Sequence, residues 1–147
     1  SVVSVPILDT TFFPEATAVA NADPLAAQVG MVALRGSLTV ASSHKLVSVI
    51  GPDIREHEVV IFDFSGTAYI DDSAAMVIEQ LLDVAAGSGT ACIAMGLAGD
   101  AAATLETFDT LRDVPQDRIV GTLDEARRIA RDILVPAGAP PTDDRPS

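Results

Sequence analysis

The sequence predicts an α/β domain with a mainly parallel central β-sheet. Three observations carry this. The run VVIFDF, residues 59–64, is apolar at nearly every position and of strand length. A second such run, TACIAM at residues 90–95, follows a Gly-Ser-Gly turn. Neither alternates apolar with polar, the pattern of strands buried on both faces, as parallel strands are. Segments of helical periodicity separate these runs, and strands that alternate with helices build a parallel sheet.

Along the chain, residues 1–28 are irregular in pattern. Pro6, Pro14 and Pro24 break any long helix, while Ile7, Leu8, Phe12 and Phe13 are too apolar for a free linker. Partial order is expected there, against the domain edge or a missing neighbour. The domain proper is expected over residues 29–135. Met31–Leu34 and Leu38–Val40 read as short strands, with a tight hairpin or a bulge at Arg35-Gly36-Ser37. Ser42 or Ser43 then suits a helix cap, Leu46, Val49 and Ile50 recur at helical spacing, and Gly51-Pro52 stops or restarts that helix.

The buried run 59–64 and a Ser-Gly turn lead into AYIDDSAAMVIEQLLD, residues 68–83, a β-like run followed by a helix from Ser73. Its polar positions, mainly Glu79, Gln80 and Asp83, form a narrow stripe, so a mostly buried helix is expected. After the second buried run, Asp100 caps a helix with Leu105, Phe108 and Leu111 on one face. A short strand, 118–120, precedes TLDEARRIARDIL. There Thr122 and Glu125 have capping-box spacing, Leu123, Ala126, Ile129, Ala130 and Ile133 supply a buried stripe, and Asp124 pairs with Arg128. The Pro-rich tail, 136–147, has the composition of a disordered segment.

Composition narrows the function. Of 147 residues, 48% are hydrophobic and only 4% aromatic, so the core is aliphatic and offers few rings for stacking. A formal net charge of -12 disfavours nucleic acid and anionic membrane surfaces. The single cysteine, Cys92, excludes an intrachain disulfide and reads as a small core side chain. No apolar stretch is long enough to span a bilayer, and no signal-peptide pattern leads the chain. The chain begins with Ser, as expected of a processed product or of a piece of a longer protein.

The chemistry-bearing residues concentrate at Asp71, Asp72 and Ser73. Adjacent carboxylates at a helix start diverge and do not converge across a cleft, which argues against acid/base catalysis. His44 and His57 lie in or beside the first helix, away from the strand ends, and no metal-ligand spacing is present. The sequence Gly87-Ser88-Gly89 precedes a strand, whereas a phosphate loop precedes a helix. No enzyme, cofactor or metal is therefore expected. The plain reading of Asp71-Asp72-Ser73 is a helix cap in a favourable dipole. An anion-sensing role is electrostatically poor without an adjacent Lys or Arg.

With the element order, the segments VVIFDFSGTAYIDDSAA, GTACIAMGLAGDAAATLE and RIVGTLDEARRIA resemble the STAS domain over roughly residues 30–134. That family occurs in anti-sigma factor antagonists and at the cytoplasmic C-terminus of sulfate permease (SulP) anion transporters. The resemblance implies a central sheet flanked by about four helices. It aligns Asp71 with the family Asp, Asp72 with the serine that antagonists have phosphorylated by a partner kinase, Ser73 with the next hydroxyl, and Ala74 with a glycine. Asp72 cannot become phosphoserine, and the Ala74 Cβ restricts close backbone approach. Such departures are common in transporter-attached members. The resemblance therefore implies a non-catalytic interaction module on the cytoplasmic side of a sulfate, bicarbonate or other anion transporter. Its partner would be its own transmembrane domain, a neighbouring copy or a soluble protein. The alternative it implies is a stand-alone antagonist-like switch, phosphorylated at most on Ser73.

Overall fold

The computed structural model describes residues 28–135. The expectations for the N-terminal lead and the Pro-rich tail lie outside them, apart from Gln28. The order of elements is β1 (Val29–Ala33), β2 (Gly36–Leu38), α1 (Val40–Ser43), α2 (Leu46–Arg55), β3 (Val59–Asp63), β4 (Thr67–Ile70), α3 (Asp72–Gly87), β5 (Ala91–Met95), α4 (Gly99–Thr107), β6 (Ile119–Val120) and α5 (Leu123–Leu134). A 3-10 turn, Gln116–Arg118, leads into β6.

Strands β1, β3, β5 and β6 form one sheet in that order, every pair parallel. This is the α/β fold that the buried runs predict. The missing alternation in β3 has a direct cause. Val60 and Phe62 enter a core with α2, α3 and α4, whereas Val59 and Ile61 enter a second core on the other face, under Ala126 and Ala130 of α5. Both faces are dry, so every position needs an apolar side chain.

The hairpin expected between the first two strands does not form. Strands β1 and β2 belong to different sheets, because β2 pairs with β4 in a separate parallel two-stranded ribbon. The chain changes partners at the turn: Leu34 N donates to Asp63 O at 3.0 Å, and Gly36 N to Gly66 O at 2.9 Å. Gly36 takes φ 78°, and the register slips between Gly36 and Ser37, so the bulge reading holds. The second strand ends at Leu38, not Val40, and the β-like run before Asp71 is itself a strand.

The helices depart from expectation at their starts. Neither Ser42 nor Ser43 caps the helix that carries Leu46, Val49 and Ile50: both lie in the separate short helix α1, which Thr39 caps with Ser42 closing a capping box, and Lys45 stands at the start of α2. Pro52 lies inside α2, which runs on to Arg55. Burial of Leu46, Ile50 and Ile54 on one face offsets the lost N–H, since each large aliphatic side chain contributes about 2 kcal/mol. Ala98 rather than Asp100 caps α4, and that helix ends at Thr107, leaving Phe108 43% exposed. The capping box of Thr122 and Glu125 is present in α5, but Asp124 pairs with Arg127 at 3.5 Å instead of with Arg128.

Helix α3 is also less buried than its narrow polar stripe suggests. Ala74, Ala75, Ile78, Leu81 and Ala85 face the core, while Asp72, Ser73, Met76, Gln80 and Asp83 form the solvent side. Hydrophobicity alone misplaces Met76, which is 63% exposed.

Candidate functional site

The junction of β4 with α3 brings the four singled-out residues to one end of the domain, each with a different role. Asp71 is the cap, in extended conformation with φ -88° and ψ 175°. Its Oδ1 accepts from Ala74 N at 2.8 Å. Its Oδ2 accepts from Val40 N, the first amide of α1, at 3.2 Å. Its own N donates to Leu38 O at 3.0 Å. One carboxylate thus ties the start of α3 to the start of α1 and anchors both to the end of β2. The contact with Val40, 31 residues away, is invisible to local pattern reading.

Asp72 and Ser73 are exposed, and neither side chain has a hydrogen-bond partner among the described residues. Ala74 is wholly buried in the larger core, so its Cβ is a packing group. Helix α1 packs beside α3. It carries Val40, 58% exposed, to the same end of the domain as Met76. The sequence drew attention to the acids and hydroxyl but not to these two apolar side chains. The exposed part of the junction is therefore a carboxylate and a hydroxyl flanked by valine and methionine.

Asp71 is occupied by two backbone amides, and Asp72 points to water. His44 Nδ1 lies 3.2 Å from Ala41 O and His57 Nδ1 lies 2.7 Å from Asp53 O, each within its own helical segment. Among the described residues, no group of three or more His, Cys, Asp or Glu side chains could hold a metal ion. No described helix is long and apolar enough to cross a membrane. Cys92 is half-buried on β5, and burial pushes its thiol up to about 12, against a smaller opposing effect of the Arg118 charge.

Two carboxyls, those of Glu79 and Glu125, are held below their ordinary value. Glu79 of α3 pairs with Arg112 in the loop after α4, and this hydrogen-bonded guanidinium holds its carboxyl below the usual value of 4.5. The Thr122 hydroxyl, with the backbone amides of Gly121 and Thr122, does the same for Glu125. A carboxyl with a depressed folded pKa contributes stability above its unfolded pKa and loses it as pH falls through the folded value. The acid limb of a stability–pH curve, measured by urea unfolding below pH 4.5, should therefore be flatter in an E79Q/E125Q double variant.

The chain matches the STAS domain family over residues 23–126 and belongs to it. No curated protein sequence matches. Among solved structures, a sulfate transporter family protein from Wolinella succinogenes is similar at 16% identity and a TM-score of 0.65, over 73% of this chain and 88% of that one. An anti-sigma factor antagonist from Mycobacterium paratuberculosis is similar at 15% identity and a TM-score of 0.59, over 88% of this chain and 95% of that one. The murine Slc26a9 anion transporter is similar at 19% identity and a TM-score of 0.59, over 71% of this chain but only 18% of the transporter. At these identities the likeness is one of fold. It places the chain in a family whose fold is shared by transporter domains and by antagonists of anti-sigma factors.

Proposed function

We propose that this STAS domain is a non-catalytic docking and regulatory module of a SulP-type anion transporter, on the cytoplasmic side of the membrane. Its partner is its own transmembrane domain or a neighbouring copy. The observation that supports this best is the exposed Asp72 carboxylate, whose side chain has no hydrogen-bond partner among the described residues and which the resemblance to the family aligns with the serine that antagonists have phosphorylated. A fixed charge cannot toggle, so the surface acts by shape and complementarity. Val40 and Met76 beside it give that surface apolar area to bury. The likeness to a sulfate transporter family protein and to a domain-sized share of Slc26a9 is consistent with this reading.

A photo-crosslinking residue at position 76 tests it in membranes from cells expressing the full gene product. The expected adduct is a peptide of the protein's own membrane domain or of a second copy. A crosslinker at Arg128, exposed on α5, should give no such adduct. A gene without upstream transmembrane segments, or adducts confined to a soluble kinase-type protein, overturns the proposal. The second result would favour the stand-alone switch. That alternative draws on the exposed, unbonded Ser73 hydroxyl, and phosphate on Ser73 after incubation with such a kinase is its mass-spectrometric signature.

A further inference from the structure

An open groove of about 620 Å³ runs between α4, the loop that follows it and β6. Leu97, Ala102, Leu111 and Ile119 line it half-buried, over the buried Leu105 and Val114. None of these residues belongs to α1 or to the junction of β4 with α3. Backbone bonds fix the rim. At the end of α4, Thr110 N donates to Leu105 O at 3.0 Å and Asp109 N to Glu106 O at 3.1 Å. Further along, Val114 N donates to Leu111 O at 2.9 Å. Arg112 donates to Asp109 O and to Glu79 of α3, which ties the loop down. A groove held in this way keeps its shape before anything enters it, and that lowers the cost of binding.

The charge at this groove is the opposite of what the local fold favours. A helix C-terminus carries partial negative charge and prefers Lys or Arg beside it. The last turn of α4 has no basic residue; Glu106 lies in it and Asp109 follows it. Both are exposed, and neither makes an ion pair among the described residues. Arg112, the cation of the lining, is already engaged by Glu79. Residues 99–119, which build most of the groove, carry five acids against two arginines, so its field is negative. The polar residues of the lining, Glu106, Asp109, Arg112 and Gln116, are all exposed, and none is buried where it could orient a small molecule. An apolar floor inside a charged rim is instead the anatomy of a protein interface.

We propose that this groove docks a basic amphipathic peptide segment of a partner protein. The segment's Lys or Arg side chains meet Glu106 and Asp109 at the end of α4, and its aliphatic side chains cover Leu97, Ala102, Leu111 and Ile119. Such a cation supplies what the α4 C-terminus lacks, and the apolar floor gives it area to bury. Charge decides against the other occupants. Residues 1–27 hold three acids and no Lys or Arg, and residues 136–147 hold two acids and one arginine. A second copy of the chain would bring a formal net charge of -12 to an acidic rim. The groove is independent of the docking surface at Asp72, and its failure would leave that reading untouched.

Amide chemical shifts of the isotopically labelled 147-residue chain test the groove. The probe is a Leu/Lys peptide of about 12 residues with Leu at helical spacing, beside one counterpart with Glu for Lys and another with Ser for Leu. The Leu/Lys peptide should give saturable shifts at Ala102, Asp109 and Ile119. The Glu counterpart should give none, and the Ser counterpart should bind at least about tenfold more weakly. A Glu106→Gln/Asp109→Asn double variant should also weaken the Leu/Lys peptide at least about tenfold. The same variant should melt at a higher temperature than the wild type, because the helix end is relieved of like charge; Asn accepts the φ of 52° at position 109. Undiminished binding by the double variant, a fall in its melting temperature, equal binding of either counterpart, strongest shifts at Val40 and Met76, or no saturation into the millimolar range overturns the proposal. So do shifts of the same amides with protein concentration alone, which would give the groove to a second copy. A photo-crosslinker at position 8 that captures residues 102–119 of the same chain would give it to the leading segment, and overturns the proposal as well.

Discussion

Replacing Gly96 by Ala should destabilise the domain by about 3 kcal/mol, through backbone strain and a steric clash acting together. Gly96 follows β5 with φ 79°, a conformation that L side chains rarely adopt. An added Cβ would lie 2.9 Å from Ser65 Cβ and 3.0 Å from both Ser65 Cα and N. Ser65 cannot easily yield. Its N and Oγ both donate to Asp63 Oδ1, at 2.8 and 2.6 Å, and adjacent Phe64 N donates to Met95 O at 2.8 Å. Gly96 N is itself held by Val120 O at 3.0 Å. The control is Gly89→Ala. Gly89 has φ 72° but nothing within 4 Å of the added atom, so it isolates the conformational cost, about 1 kcal/mol. Urea unfolding of both variants reads the difference, and equal losses would show that the ends of β3 and β5 are not pressed together as described.

Asp71→Ala should cost about 2 kcal/mol, lowering the melting temperature by roughly 8 °C for a domain of this size. The loss is that of a helix cap plus the second amide the same carboxylate accepts. Asp71→Asn should recover only about half of that loss, because its amide oxygen still accepts from Ala74 N while its NH2 cannot accept from Val40 N. Asp72→Ala should cost no more than about 0.5 kcal/mol, since an exposed acid in the first turn gains only a dipole interaction. The two neighbouring aspartates thus separate into an architectural one and a surface one. If Asp72→Ala proved as damaging as Asp71→Ala, the carboxylate assigned to solvent would be holding the fold, and its proposed role in docking would lose its basis.

That division shows where local reading stops. That Asp71-Asp72-Ser73 holds a helix cap was legible, because acids and a hydroxyl before an apolar helix suit its unpaired amides, but which of the three is the cap was not. The bond from Val40 N to Asp71 was not, because it joins residues that only the folded chain brings together. The same holds for Met76. Its hydrophobicity argued for burial, and only the packing of α3, with Ala75 and Ile78 turned inward, leaves it outside. The hairpin expectation failed for a related reason. Two short apolar runs around a glycine are locally a hairpin, and the partner exchange at Leu34 and Gly36 depends on β3 and β4, about thirty residues downstream.

The sequence by itself determined the α/β class, the buried strands β3 and β5, the capping box of α5 and the acidic start of α3. Each rests on side-chain type and spacing over a few residues, where local chemistry dominates. Only the tertiary structure decided which strands pair, which aspartate is structural, and which apolar side chains stay exposed. Those features depend on contacts between segments far apart in the chain, and no short window of sequence contains both halves of such a contact.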